Sequence, residues 1–273
     1  MLRAELLALS TTTATKATAA TALVGLAITQ LAFVSLLPAL ARGDIGPGAE
    51  ALGGDLPDVG LTTGAEQLDA LAPLGAAMGG GSLGIVTLAV ALLGTIAATS
   101  DFRYGGIVGA ALAQPRRGRI VVTKAAATGV AAAALGVGLA ALSALILLTT
   151  LVTAGITLAV DPVAVAGVVA RGTVVVACLA LIGLAVGMIA RSQLSGVVAM
   201  LAVLLLEPLV SGVAQLVSGT AQTWTRFLPV ALSQAAIGAS DGGLPPIGAL
   251  AALVALTGAL LAVAAVFLRR RGL

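Results

Sequence analysis

Apolar residues run almost unbroken through six stretches of this chain, 17–41, 74–99, 125–153, 172–190, 194–217 and 247–268, and polar residues gather between them. A helix rising 1.5 Å per residue needs about 20 mostly apolar residues to cross the hydrocarbon of a bilayer. Each stretch meets that length, so the pattern predicts an all-α membrane protein with six transmembrane helices in a single domain, 1–273. Residues 1–16 precede the first stretch with Arg3 and Lys16 and read as a helix lying at the membrane surface. Ala39-Leu40-Ala41 resembles a leader-peptide cleavage site, but the apolar run before it exceeds the usual 7–15 residues. The expectation is that this first helix is retained. The fourth stretch is preceded by Asp161-Pro162, an N-cap followed by proline at the first helical position.

Placement of Lys and Arg orients the helices. With both termini inside, the inner side holds Arg3, Lys16, Arg103, Arg116, Arg117, Arg119, Lys124, Arg191, Arg269, Arg270 and Arg271, which is 11 of the 14 basic residues. Arg42, Arg171 and Arg226 fall outside. The positive-inside rule therefore predicts cytoplasmic N and C termini, and an even number of spans agrees. Residues 42–73 become an acidic outer loop, with Asp44, Glu50, Asp55, Asp58, Glu66 and Asp69. They read either as a solvated connector or as a lid over an exit. Residues 218–246 form a second outer loop. Trp224, Phe227 and Tyr104 stand near predicted borders, as interfacial anchors do.

Composition narrows the function. Hydrophobic residues make up 59% of the 273 and charged residues 9%, with mean hydropathy +1.15; soluble domains carry roughly 25% charged residues. The net charge of +3 lies in short runs beside apolar stretches rather than in a nucleic-acid-binding patch. With no His and a single Cys, haem and zinc sites of the usual kind and disulfides are not expected. Cys178, inside an apolar run, reads as a packing residue. Gly79-Gly80-Gly81-Ser82 lacks the lysine of a phosphate loop and reads as a close-packing or bending point. Glu207 is the one acid inside a predicted span. Charge at that depth faces a partner or a cavity, and Pro208 beside it predicts a kink. Gln30 either hydrogen-bonds between helices or lines a substrate path.

The loop between the second and third stretches carries the densest signal. Ser100 reads as the cap of a short helix over 100–115. Tyr104, Ile107, Val108, Ala111 and Leu112 give that helix one apolar face, and Pro115 ends it. Arg116, Arg117, Arg119 and Lys124 follow as a basic clamp for lipid headgroups.

Here the chain resembles the permease subunits of the ABC-2 transporter family. Those proteins show a Thr-Ser-Glu-Tyr-Arg-x-Gly-Thr-Ile-like run after the second span, then Pro-x-Arg and a Lys. This sequence has Thr99-Ser100-Asp101-Phe102-Arg103-Tyr104-Gly105-Gly106-Ile107, then Pro115, Arg117 and Lys124. Glu207-Pro208-Leu209 and Arg226-Phe227-Leu228-Pro229 are similar to two later family stretches. Asp101, Phe102 and Gly106 depart from the family's Glu, Tyr and Thr, and the N-terminal helix lacks its Trp-x-Lys. The resemblance implies an exporter subunit that moves an amphipathic drug, lipid or peptide across a bacterial plasma membrane. It also implies a second permease, expected as a homodimer, and two copies of a separate ATPase that carries ATP and Mg. Asp101, Phe102, Arg103, Tyr104 and Ile107 would be its coupling contacts. The chain itself is expected to hold no cofactor and catalyse nothing. A proton-driven transporter, an intramembrane enzyme and a membrane anchor for a cytoplasmic protein are the rival readings. The first two lack the several ionisable or paired groups they need within spans.

Overall fold

A computed structural model describes residues 2–41, 43–45, 61–75, 84–103, 117–220, 222–238 and 244–270. All regular structure among them is helical. α1 (Leu2–Thr11) breaks at Thr12, whose backbone is extended, before α2 (Thr13–Gln30). That helix continues through a π-helical stretch, Leu31–Leu36, into α3 (Leu37–Ala41). Then come α4 (Gly64–Ala70), α5 (Ile85–Arg103), α6 (Arg117–Ala154), α7 (Pro162–Ala190) and α8 (Gln193–Ser218). A 3₁₀ turn (Thr223–Phe227), α9 (Pro229–Ile237) and α10 (Pro246–Arg270) complete the chain.

Five helical runs are long and apolar enough to cross a membrane: Thr13–Leu40, Gly118–Ala154, Pro162–Ala190, Gln193–Ser218 and Pro246–Arg270. This is the make-up of a multi-pass membrane protein. The second predicted span, 74–99, is the exception. Leu74 and Gly75 are not helical, α5 starts only at Ile85, and its apolar part is the shorter Ile85–Ser100. Residues 76–83, with the predicted glycine bend, lie outside the described residues. α5 begins deep in the bundle: a Cβ on Gly25 of α2 would stand 2.6 Å from Ile85 Cγ2. Gly25 is sixteen residues from Ala41, so this start lies about 24 Å from the end of that helical run.

α7 is the central helix, and α5, α6, α8, α9 and α10 all pack on it. Its contact with α5 is backbone to backbone. A Cβ on Gly94 would collide with the Ala180 carbonyl, and one on Gly183 with the Ala91 carbonyl. Small residues permit this approach between membrane helices, where dispersion rather than water exclusion drives packing. The large core includes Leu26, Val90, Leu139, Val175, Leu179 and Leu253, with Cys178 buried among them. A second cluster (Ala97, Val121, Leu184, Met188, Ala264 and Leu268) gathers the ends of α5, α6, α7 and α10 at one pole. We term this pole, which also carries Arg119 and Arg269, the basic end.

Two predicted boundaries shift at the basic end. Ser100 does not cap a separate helix: it sits inside α5, and its Oγ donates to the Ala97 carbonyl at 3.2 Å. Nothing between Thr99 and Arg103 breaks a helix, so α5 simply continues. α6 starts at Arg117, eight residues before the predicted span, so Arg119 and Lys124 are helical rather than in a loop. Lys124 is not a surface headgroup contact. It is 5% exposed, and its Nζ lies 2.9 Å from Glu5 Oε2 of α1. Tyr104, Ile107 and Arg116, with the rest of the predicted coupling helix, lie outside the described residues.

Candidate functional site

The far end of the bundle departs most from expectation. Neither predicted outer loop is simply a solvated connector. Residues 61–75 turn inward, with Leu61, Gln67, Ala70, Leu71 and Ala72 all buried. α9 is buried as well, through Val230, Leu232, Ser233, Ala236 and Ile237. Residues 46–60 and 239–243, which hold the other parts of these loops, lie outside the described residues. In a lipid setting, inward-folded backbone needs internal partners for its N–H and C=O groups, and the spans supply them through polar side chains.

α4 starts with a capping box. Thr63 Oγ1 accepts from the Glu66 N–H at 3.3 Å, and Glu66 Oε2 accepts from the Thr63 N–H at 2.9 Å. The second bond, to the Thr63 backbone, is the main reason the Glu66 carboxyl is held below its usual range. Gln67 then ties this helix to the connection after α6. Its Nε2 donates to the Leu61 and Thr157 carbonyls at 2.9 and 3.0 Å, and its Oε1 accepts from the Ala159 N–H at 2.8 Å. At the deep end of α4, Gln30 Nε2 donates to the Ala70 carbonyl at 2.8 Å and to Ser143 Oγ at 3.0 Å. Ser143 Oγ in turn donates to the Ala72 carbonyl at 3.3 Å. Gln30 Oε1 is left without a hydrogen-bond partner. Beyond this latch, Pro73 fills the place a Cβ on Gly172 of α7 would take. Residues 70–75 therefore plug the space between α2, α6 and α7, beyond the start of α5.

Glu207 does the corresponding work for α9. It is 7% exposed, and its two oxygens accept from the Val230 and Ala231 N–H groups at 2.9 and 2.8 Å. These are the second and third helical residues after Leu228, an N-cap whose side chain has no oxygen. A carboxylate delivered from α8 thus replaces the missing cap and complements the helix dipole. Pro208 follows it inside α8. Its missing N–H frees the Leu204 carbonyl from its helical bond.

The two latches sit at matching positions along their helices. Gln30, Ser143 and Glu207 each lie eleven residues before the last residue of their helical run, Ala41, Ala154 and Ser218. At 1.5 Å per residue that is about 16 Å, near the middle of a 30 Å hydrocarbon layer. The sequence-predicted pathway residues are not brought together: Gln30 serves α4, and Glu207 serves α9, with Pro208 following it inside α8. Gln67, Ser143 and Glu5 were not anticipated.

Beside the α4 latch, a groove of about 800 Å³ opens between the α2–α3 run and the last turns of α6. Ile28, Leu31 and Leu36 give it an apolar wall, Ser35, Thr150 and Thr153 add hydroxyls, and Asp44 adds a carboxylate. Trp224 and Phe227, half exposed on the 3₁₀ turn, stand near the same pole. Among the described residues no cluster of His, Cys, Asp or Glu could hold a metal. At the basic end, Phe102 packs against the cluster of Val121, Leu184, Met188 and Leu268. Comparison with protein-family models, curated proteins and solved structures finds no match for this chain.

Proposed function

We propose that the chain is the membrane subunit of an ATP-driven exporter in a bacterial plasma membrane. In this reading six columns cross the bilayer, the second of them made of α5 and the plug residues 70–75 beyond its start. Both termini and the basic end face the cytoplasm. A second permease and two ATPase subunits complete the complex, and ATP and Mg act on those partners. The observation that carries the reading is the continuity of α5. One helix runs from deep in the bundle to Asp101, Phe102 and Arg103, where the family resemblance places the coupling contacts. Through Phe102 it is packed against the basic ends of α6, α7 and α10. A partner gripping 101–103 therefore displaces several spans at once.

The polar groups of the spans favour this reading over a proton-driven transporter. Glu207 has both oxygens occupied by backbone donors, and a proton-relay carboxylate needs water access and an exchangeable partner. The far-end groove, largely apolar with hydroxyls and the Asp44 carboxylate in its lining, suits an amphipathic substrate. Export rather than import rests on the resemblance alone.

The test is purification of the complex from its native membrane, with ATP hydrolysis and subunit composition measured together. Asp101→Ala or Arg103→Ala is expected to weaken ATPase co-purification or uncouple transport, and Arg116→Ala or Arg117→Ala to do much less. A preparation without any nucleotide-hydrolysing subunit refutes the proposal. Orientation is checked in a Cys178→Ala background: cysteines at Asp55 and Asp241 should react with an impermeant thiol reagent in intact cells, and one at Arg117 should not.

A further inference from the structure

The first three turns of α6 and the last three of α10 run side by side at the basic end with little side chain between them. Gly118, Ala125 and Ala126 of α6 face Ala262 and Ala265 of α10, and Leu181 of α7 closes the floor. The small residues leave a groove of about 990 Å³, at the top of the range of small-molecule sites. Its walls are apolar; its mouth carries two guanidiniums, Arg119 and Arg269. Arg269 lies across Gly118, where a Cβ would stand 2.7 Å from Nη2, so glycine is what lets that head group settle over the groove. Both arginines are exposed, and neither has an ion-pair or hydrogen-bond partner among the described residues. Val122, 68% exposed on the rim, opens the groove sideways to hydrocarbon. From Arg119 to Ala126 is seven residues and from Leu261 to Arg269 eight, so the slot runs about 10–12 Å inward from the charges.

We propose that this groove is a binding site for one anionic phospholipid, its phosphate between Arg119 and Arg269 and the upper part of an acyl chain along the alanine-lined slot. A soluble anion would leave the apolar walls unused. A zwitterionic lipid would bring its own cation to the two guanidiniums. An arginine near an anionic membrane surface contributes about 1 kcal/mol, which is roughly fivefold in affinity. The bidentate fork of Arg suits phosphate. The site rests on α6 and α10 crossing the bilayer, and on neither the exporter reading nor its orientation.

The experiment is native mass spectrometry of the full chain released from vesicles of phosphatidylcholine mixed with phosphatidylglycerol. Wild type should retain one phosphatidylglycerol in preference to phosphatidylcholine. Arg119→Gln and Arg269→Gln should each lower that preference roughly fivefold, and Arg270→Gln, outside the groove, should not. Ala262→Trp, which fills the slot but keeps both charges, should abolish retention. Millimolar inorganic phosphate should not displace the lipid. Equal retention of both lipids, an Arg270→Gln effect as large as the other two, displacement by phosphate, or full retention in a well-folded Ala262→Trp each overturns the proposal. Loss of ATPase co-purification would sink the exporter reading and leave this result untouched.

Discussion

Ser143→Ala is expected to loosen the α4 latch without disturbing the spans that carry it. Ser143 is fully buried on α6; its Oγ accepts from Gln30 and donates to the Ala72 carbonyl. Alanine removes one oxygen, leaves a void too small to matter, and deletes both bonds. Hydrogen bonds between membrane segments average about 0.6 kcal/mol by double-mutant cycles. A buried carbonyl left short of its donor adds about 1 kcal/mol. The closed latch thus loses about 1–2 kcal/mol, and its open population rises roughly 5- to 30-fold. Gln30→Leu is a less clean probe, because it also removes the unpartnered Oε1 and so offsets part of its own cost. The readout is a cysteine at Ala72, 1% exposed, in a Cys178→Ala background. Its reaction rate with a water-soluble thiol reagent follows the open fraction when opening is fast. Thr149→Ala is the control, because that exposed hydroxyl bonds only within its own helix. Equal labelling rates in Ser143→Ala and Thr149→Ala would show that the hydroxyl does not hold the plug.

Glu207→Gln should keep the protein in the membrane but lose one charge-assisted bond to α9, about 2 kcal/mol, and impair transport. Leu228→Ser, which supplies a local cap, should recover part of the lost thermal stability; no recovery would argue against the capping role. Glu5→Gln should free α1 to limited proteolysis more than Glu5→Gln combined with Lys124→Met, because the single change leaves a buried ammonium short of its carboxylate. Additive effects in that cycle would count against the pair. For α4, the depressed Glu66 carboxyl makes its stabilisation complete above the unfolded value of about 4.3 and lost as pH falls below that toward the folded value. Labelling at Ala72 should therefore quicken in acid. Glu66→Gln, which keeps the capping box, should flatten that dependence; an unchanged profile would mean another group controls it.

Long apolar runs were legible because hydrocarbon length sets one criterion for all of them, and Gln193–Ser218 and Pro246–Arg270 came out within two residues of expectation. Asp161 and Pro162 stand at the N-cap and first helical positions as read, although the Asp161 side chain makes no capping bond. The second span misled because hydropathy measures composition and not continuity. Leu74 and Gly75 are as apolar as a span needs, yet they belong to the inward-folded plug. A signal for that plug was present: Thr63-Gly64-Ala65-Glu66 has the spacing of a capping box and marks a helix inside the supposed loop. Gln67 and Ser143 carried no such mark. Their role depends on partners 90 and 113 residues away in the chain, which no local pattern encodes. Glu207 stood out as a lone buried acid, but its partner, the bare N-terminus of α9, is backbone and has no letter in the sequence.

The interlocked glycines of α5 and α7 decide which motions are open to the molecule. With Gly94 seated on the Ala180 carbonyl and Gly183 on that of Ala91, neither helix can slide or roll past the other without a backbone collision. The pair is therefore a single rigid unit at that crossing. Pro73, seated against Gly172, lies on the Pro162 side of that crossing. The plug thus rests on the same helix whose other end, through Leu184 and Met188, is locked into the basic-end cluster.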